Sequence, residues 1–281
     1  MKLTFWGTRG SIPAPGPHTY RVGGNTTCVE IETGTDDRII IDAGTGMRQL
    51  GLKIAQEQVK PVLHLLLTHS HWDHLAGFSF FTPAFMAHIQ LKVYGNLMAQ
   101  DVIRRDIYER RDNRYYPVNM DVLRADCTFN NILPDPLVIA GVKISTLPLN
   151  HPGSGYAYRL EQAGKSVTFI TDNEIGAGYN GGGHSPEQLV EFCRGTDVLI
   201  HDGQYLPEEI PSHKGWGHSS YDTVLDLAHS AGLKTVYLTH HDPERSDDQC
   251  DELLKSARAY IAEHKYKIDC YLAIEGDSIT V

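Results

Sequence analysis

The stretch Val62-Leu63-His64-Leu65-Leu66-Leu67-Thr68-His69-Ser70-His71-Trp72-Asp73-His74 decides how the rest of the chain is read. Its first six residues, apolar except for His64, have the length and composition of a buried strand, and the run stops at a threonine. Three imidazoles and a carboxylate then follow within six residues, His69 to His74. These side chains cannot all leave a strand in one direction, so a strand-to-helix turn must fan them around a shared point. In that arrangement His69 and His71 face one metal ion, while Asp73 and His74, on the following turn, face a second. An H-x-H-x-D-H spacing at a strand end is not what a chance histidine tract looks like. His64, inside the apolar run, reads as a core histidine.

Outward from this stretch the chain alternates in the manner of a mixed α/β protein. Strands are expected at Lys2 to Trp6, Thr27 to Glu32, Arg38 to Asp42, Val62 to Thr68, Val142 to Leu147, Tyr156 to Leu160, Ser166 to Thr171, Val198 to His201 and Thr235 to Thr239. Helices are expected at Pro186 to Cys193 after a Ser-Pro start, at Ser220 to Ala231 before Gly232, and at Gln249 to Glu263. The stretch Phe78 to Asn131 differs and reads as an insertion or lid, with a helix from about Leu97 to Asp112 and a turn at Arg114-Tyr115-Tyr116-Pro117. Between Asp101 and Asp126 it carries six arginines and six acids, so it is neutral and offers no polyanion track, though it does offer material for a homodimer contact.

Composition narrows the function classes. The 281 residues are 41% hydrophobic and 21% charged, which suits a folded soluble protein, and 35 acids against 25 bases repel polyanions. No strong nucleic-acid-binding signal is present. Fifteen histidines, several beside carboxylates, ask for metal or proton chemistry. Five scattered cysteines without a C-x-x-C spacing suggest neither a disulfide framework nor a thiolate zinc site. No apolar run is long enough to span a membrane, and a cytoplasmic, unprocessed protein is the expectation.

The His69 to His74 motif resembles the hallmark of the metallo-β-lactamase superfamily, and the resemblance covers nearly the whole chain. It implies a single α/β domain over 1–281, an αββα sandwich of two mixed sheets flanked by helices. It also implies further ligands at later strand ends: His151 after Leu147-Pro148-Leu149-Asn150, Asp172 after Phe169-Ile170-Thr171, and His240 after Tyr237-Leu238-Thr239. By that resemblance two divalent ions (zinc, manganese or iron) are held, one by His69, His71 and His151, the other by Asp73, His74 and His240, with Asp172 bridging. His241 adjoins His240 and is the alternative ligand.

Two later segments, Leu199-Ile200-His201-Asp202-Gly203-Gln204-Tyr205 and Gly215-Trp216-Gly217-His218-Ser219-Ser220, are similar to paired motifs of the ribonuclease Z and phosphodiesterase branch. There Asp202 would orient His218, and His218 would protonate the leaving alkoxide, with Asp73 at the reaction centre as well. The loops Gly7-Thr8-Arg9-Gly10-Ser11 and Gly23-Gly24-Asn25-Thr26-Thr27 match that branch in style, which makes Asn25 a candidate contact, although tight turns explain such glycines equally well. Asp42 reads as an acceptor for a ligand imidazole beneath the metals or as a strand-end turn carboxylate. Tyr115, Tyr116 and Trp216 are candidate stacking surfaces. Together these imply hydrolysis of a small phosphodiester, a cyclic nucleotide foremost, by metal-activated hydroxide. The alternatives are ribonuclease Z-like RNA processing and ester or lactone hydrolysis on the same fold.

Overall fold

The computed structural model describes residues 1–57, 61–108, 122–131, 136–178 and 183–281. The strands of the first half are β1 (Lys2–Gly7), β2 (Cys28–Glu32), β3 (Arg38–Ile41), β4 (Val62–Leu67), β5 (Gln90–Gly95) and β6 (Asp126–Asn131). Those of the second are β7 (Leu137–Ile139), β8 (Val142–Pro148), β9 (Tyr156–Gln162), β10 (Lys165–Ile170), β11 (Val198–Asp202), β12 (Thr235–Thr239), β13 (Asp269–Leu272) and β14 (Ser278–Thr280). Six helices join them: α1 (Met47–Gln56), α2 (Leu97–Asp101), α3 (Pro186–Cys193), α4 (Ile210–His213), α5 (Tyr221–Ser230) and α6 (Asp247–His264).

Among the described residues the strands form two seven-stranded sheets, ordered β14-β1-β2-β3-β4-β5-β6 and β13-β12-β11-β10-β9-β8-β7. Each sheet has an antiparallel half and a parallel half. Pairing is antiparallel from β14 to β3 and parallel from β3 to β6. In the second sheet it is antiparallel from β7 to β10 and parallel from β10 to β13.

Strand β4 shows why the layers stack as they do. Leu63, Leu65 and Leu67 point to one face and join α1 residues Met47, Leu50 and Ile54 in one core. Leu66 points to the other and meets Tyr158, Val167, Phe169 and Ile200 of the second sheet. A strand buried on both faces calls for apolar residues on both, which is what the run records except at His64. A third core packs α3, α5 and α6 on the outer face of the second sheet. The result is the expected αββα sandwich, with two mixed sheets flanked by helices. Helices α3 and α6 start at capping boxes, Ser185 with Gln188 and Ser246 with Gln249.

Most expected elements lie within a residue or two of their observed bounds. The 78–131 stretch differs: it contributes β5 and β6, which extend the first sheet in parallel, and it places Leu91, Val93, Ala99 and Ile103 in the core. Its expected 97–112 helix is α2 followed by a π-helical segment, Val102–Tyr108. Tyr115 and Tyr116 fall outside the described residues. No helix among the described residues is long and apolar enough to cross a membrane.

The sheets are tied where β4 ends. Tyr158 of β9 donates its buried hydroxyl to the Leu67 carbonyl at 2.5 Å, and the Tyr156 amide donates to the Thr68 carbonyl at 3.0 Å. Tyr158→Phe leaves that carbonyl with the Asn96 amide at 3.3 Å and removes its shorter bond, and a loss of about 1 kcal/mol in denaturant-unfolding free energy is expected. An unchanged unfolding midpoint would show that this tie carries no stability.

Candidate metal centre

Beyond Leu67 the chain turns through Thr68 into a short 3-10 turn, Trp72–His74, so the four polar side chains of the motif do fan out. Asp42, directly after β3, holds the base of this turn. Its two oxygens accept the Thr68 amide and the Thr68 hydroxyl, each at 2.8 Å, and its Oδ2 also accepts His74 Nδ1–H at 2.7 Å. Of the two readings of Asp42, the imidazole acceptor is the one observed. Burial pushes its pKa up against the pull of His74.

Two groups of ligand atoms result, each with all members within 4.8 Å of one another: His69, His71, His151 and Asp172, and Asp73, His74, Asp172 and His240. Asp172 belongs to both. Its Oδ2 lies 3.2 Å from His74 Nε2, and its Oδ1 lies 3.3 Å from His240 Nε2 and 3.7 Å from His69 Nε2. His71 Nδ1 and His151 Nε2 stand 2.9 Å apart.

Each inner imidazole is turned by a partner on its outer nitrogen. His74 donates to Asp42, His240 Nδ1 to Gln204 Oε1 at 2.9 Å, His151 Nδ1 to the Gly217 carbonyl at 3.0 Å, and His69 Nδ1 to Thr68 Oγ1 at 3.0 Å. All four therefore present an Nε2 lone pair inward, the tautomer that a metal ligand requires. His69 Nε2 and His74 Nε2 are buried and have no hydrogen-bond partner among the described residues. Orphaned acceptors beside two carboxylates are what a cation would satisfy, so these residues fit divalent metal ions.

The carboxylates favour a positive charge at this point, which a cation in place of a proton on His74 Nε2 would supply. Burial works to raise the carboxyl pKa values of Asp73 and Asp172, but the imidazoles outweigh it and hold both well below the usual range. Burial likewise works against a charged His74, yet Asp73, Asp172 and Asp42 hold its pKa well above normal. His69, buried and next to His74, is pushed well below.

Backbone geometry aims several of these groups. Asp42 and His240 follow a strand directly and Asp172 follows one residue later, and each has a left-handed φ, 62°, 58° and 55° for Asp42, Asp172 and His240. That conformation costs roughly 1 kcal/mol for a residue with a Cβ, and it turns the side chain back over the strand end. Two glycines let loops lie flat on the rings. A Cβ on Gly10 would sit 2.4 Å from His240 Nδ1, and one on Gly217 would sit 2.0 Å from His151 Nδ1.

The remaining expected residues divide. His240 faces the cluster, whereas His241 points away, its Nε2 donating to the Ala273 carbonyl at 2.9 Å, and burial lowers its pKa to about 3. His218 stacks on His240 with ring centroids 5.0 Å apart, and its buried Nδ1 has no hydrogen-bond partner among the described residues. The orienting bond expected from Asp202 is not made, since the separation is 3.8 Å. Asp202 instead accepts the Ser219 amide at 2.8 Å and the Asn173 amide at 3.1 Å, so it fixes the backbone next to His218 and not the ring. Asn25 is outside the cluster, tied to Glu275 through its amide side chain at 2.6 Å. Trp216 is exposed and edge-on to His213. His184, expected at the surface or in the lid, is buried, with Nε2 at 2.8 Å from Asn173 Oδ1.

Several supports were not singled out from sequence. Gln204 orients His240, and the Ser11 amide donates to Asp73 Oδ2 at 2.8 Å. Glu174 accepts the Gly215 and Gly217 amides, at 2.9 and 3.1 Å. Arg9 is fully buried without a carboxylate partner among the described residues, its guanidinium donating to the carbonyls of Gly23, Asp242 and Arg245.

Residues 37–241 match the family model described as a beta-lactamase superfamily domain, and the chain belongs to that superfamily. It is accordingly a metal-dependent hydrolase. It is similar to ribonuclease BN of Cronobacter sakazakii, 23% identical over 305 residues that cover 92% of this chain and 95% of that one. It is also similar to ribonuclease Z of Thermoplasma acidophilum, 22% identical over 303 residues covering 94% and 92%. A solved structure described as a new diphosphatase from the PhnP family has the same fold, with a TM-score of 0.69 and 18% identity over 99% of this chain and 96% of that one.

Asp42→Ala removes one acceptor from three buried donors. The metal-free protein is expected to lose about 3 kcal/mol or more in urea-unfolding free energy, and Asp42→Asn, which keeps an acceptor and tolerates the left-handed φ, less. Equal stability of Asp42→Ala and the parent would mean that the turn is held by other contacts.

Proposed function

We propose that the chain is a dinuclear metal-dependent phosphodiesterase acting on a small phosphodiester, a cyclic nucleotide foremost. The observation that carries this reading is Asp172, whose two oxygens serve both ligand groups at once. In it, His69, His71 and His151 would hold one ion and Asp73, His74 and His240 the other, with Asp172 shared by both groups. Divalent ions held there would supply positive charge for phosphoryl oxygens and a more acidic water.

The protein's own part is positional and acidic. Asp42, Gln204, Thr68 and the Gly217 carbonyl keep four imidazoles in the ligand tautomer. His218, buried against His240 with Nδ1 free of any partner among the described residues, is placed to give a proton to the departing alkoxide. Burial lowers its pKa while Asp172 pulls the other way. Asp202 acts one step back, by holding the Ser219 amide. Phosphorus chemistry is also the business of the ribonucleases and the diphosphatase to which the chain is similar. A second reading, RNA processing, is favoured by the ribonuclease names of those relatives. The net charge of −10 and the neutral 101–126 segment favour the small substrate.

Purified protein stripped by chelator and reloaded with zinc, manganese or iron distinguishes these readings against bis(4-nitrophenyl) phosphate, cyclic mononucleotides, cyclic dinucleotides and a transfer-RNA precursor. Metal-dependent cleavage of the small diesters is expected, and RNA trimming with inert cyclic nucleotides would replace the first reading by the second.

His218→Ala should lower kcat on a cyclic nucleotide by about 10²- to 10⁴-fold while metal content by elemental analysis is unchanged. The loss should be much smaller on bis(4-nitrophenyl) phosphate, whose leaving group needs no proton. An equal loss on both substrates would count against general acid catalysis.

A further inference from the structure

Between the ligand positions of the central motif, Ser70 and Trp72 are spacers, and Trp72 is a large one left 58% exposed. It lines a cavity of about 470 Å³ together with Ile12, Phe80, Arg48 and Asp73. Ile12 and Phe80 are each 60% exposed. Large apolar groups clustered at the surface around one concavity mark a binding site and not a defect of packing.

Asp73 gives the cavity its address. Its Oδ2 lies 3.2 Å from the Nε2 atoms of both His74 and His240, so the same carboxylate belongs to the ligand cluster and to the cavity wall. A substrate whose phosphorus sits at the cluster can therefore extend one substituent into the cavity beside Trp72. Arg48, in the first turn of α1, is the cation of this wall. Its guanidinium makes no ion pair and no side-chain hydrogen bond among the described residues. An exposed planar five-donor group on the same cavity wall as an indole ring is suited to the edge of a flat heterocycle.

We propose that this cavity is the base-binding subsite of the enzyme and that Arg48 selects guanine. The ring stacks against Trp72, and the guanidinium forks onto the two acceptors O6 and N7. Adenine presents a donor at the position of O6 and rejects one arm of the fork. The proposal rests on the phosphodiesterase reading and sharpens it to guanine nucleotides.

The test combines binding with turnover on the metal-loaded protein. Tryptophan fluorescence is titrated with GMP and with AMP, and kcat/KM is measured for cyclic GMP and cyclic AMP. GMP is expected to bind roughly tenfold or more tighter than AMP, with the same preference in kcat/KM. Arg48→Ala should erase the preference by weakening guanine alone. Trp72→Ala should weaken both nucleotides by about tenfold, since stacking does not distinguish them. Equal affinity for the two bases in the parent protein, or an Arg48→Ala variant that weakens both alike, overturns the assignment. Selective GMP binding without any diester turnover would keep the subsite and reject the phosphodiesterase reading. Diester turnover without base preference would do the reverse.

Discussion

Asp42 sits fully buried and, among the described residues, has no Lys or Arg partner and is answered by the Thr68 amide, the Thr68 hydroxyl and His74. The turn from β4 into the ligand motif depends on those three bonds. Thr68 in turn accepts from His69, so one carboxylate sets the direction of two ligand imidazoles, one in each group. A carboxylate in such a place is costly unless every lone pair is used. Here three donors answer its two oxygens, which offsets that cost.

The two sheets repeat one pairing pattern, three antiparallel pairings followed by three parallel ones, and Asp42 and Asp172 occupy corresponding places in it. Each follows the strand at which the pattern changes, β3 or β10, and each has a left-handed φ. One of the pair lies beneath the ligands and the other lies at their centre. Crossovers of a parallel sheet leave crevices at the carboxyl ends of its strands, and a change in pairing direction is where such a crevice opens. Packing the two sheets face to face brings both crevices together, which is how residues more than a hundred positions apart come within ion-binding distance of one another.

The contiguous part of the centre was legible because the chemistry is local. His69 to His74 lie on one turn, and the run before them is apolar on both faces. The isolated ligands His151, Asp172 and His240 could be picked out by resemblance alone, because a single polar residue after a strand has many ordinary explanations. What escaped the sequence is what depends on backbone positions far away. Gln204 and Arg9 act through residues 36 and up to 236 positions distant. The Asp202 to His218 contact failed for the same reason: which donor a carboxylate meets, ring or amide, is decided by ångströms that spacing does not encode. Strands β5 and β6 were overlooked because the arginines and acids that follow Asp101 dominate the composition of that stretch and mask the alternation of Gln90-Leu91-Lys92-Val93.

The glycine contacts bear on how such a centre can keep its chemistry and change its substrate. Gly10 and Gly217 lie so close to His240 and His151 that backbone, not side chains, forms the walls around those rings. The ligand set is thus clamped by loops whose own anchors, Arg9 for the first and Glu174 for the second, are buried and satisfied. The cavity next to Asp73 is built differently. Ile12, Arg48, Trp72 and Phe80 are exposed side chains on four separate segments, and the inward hydrogen bonds of the ligand cluster do not depend on them. Substitution there alters what is bound without moving what binds the metal. The negative net charge repels long polyanions at any distance the ionic strength leaves unscreened, whereas these few exposed groups act only on what is in contact with them.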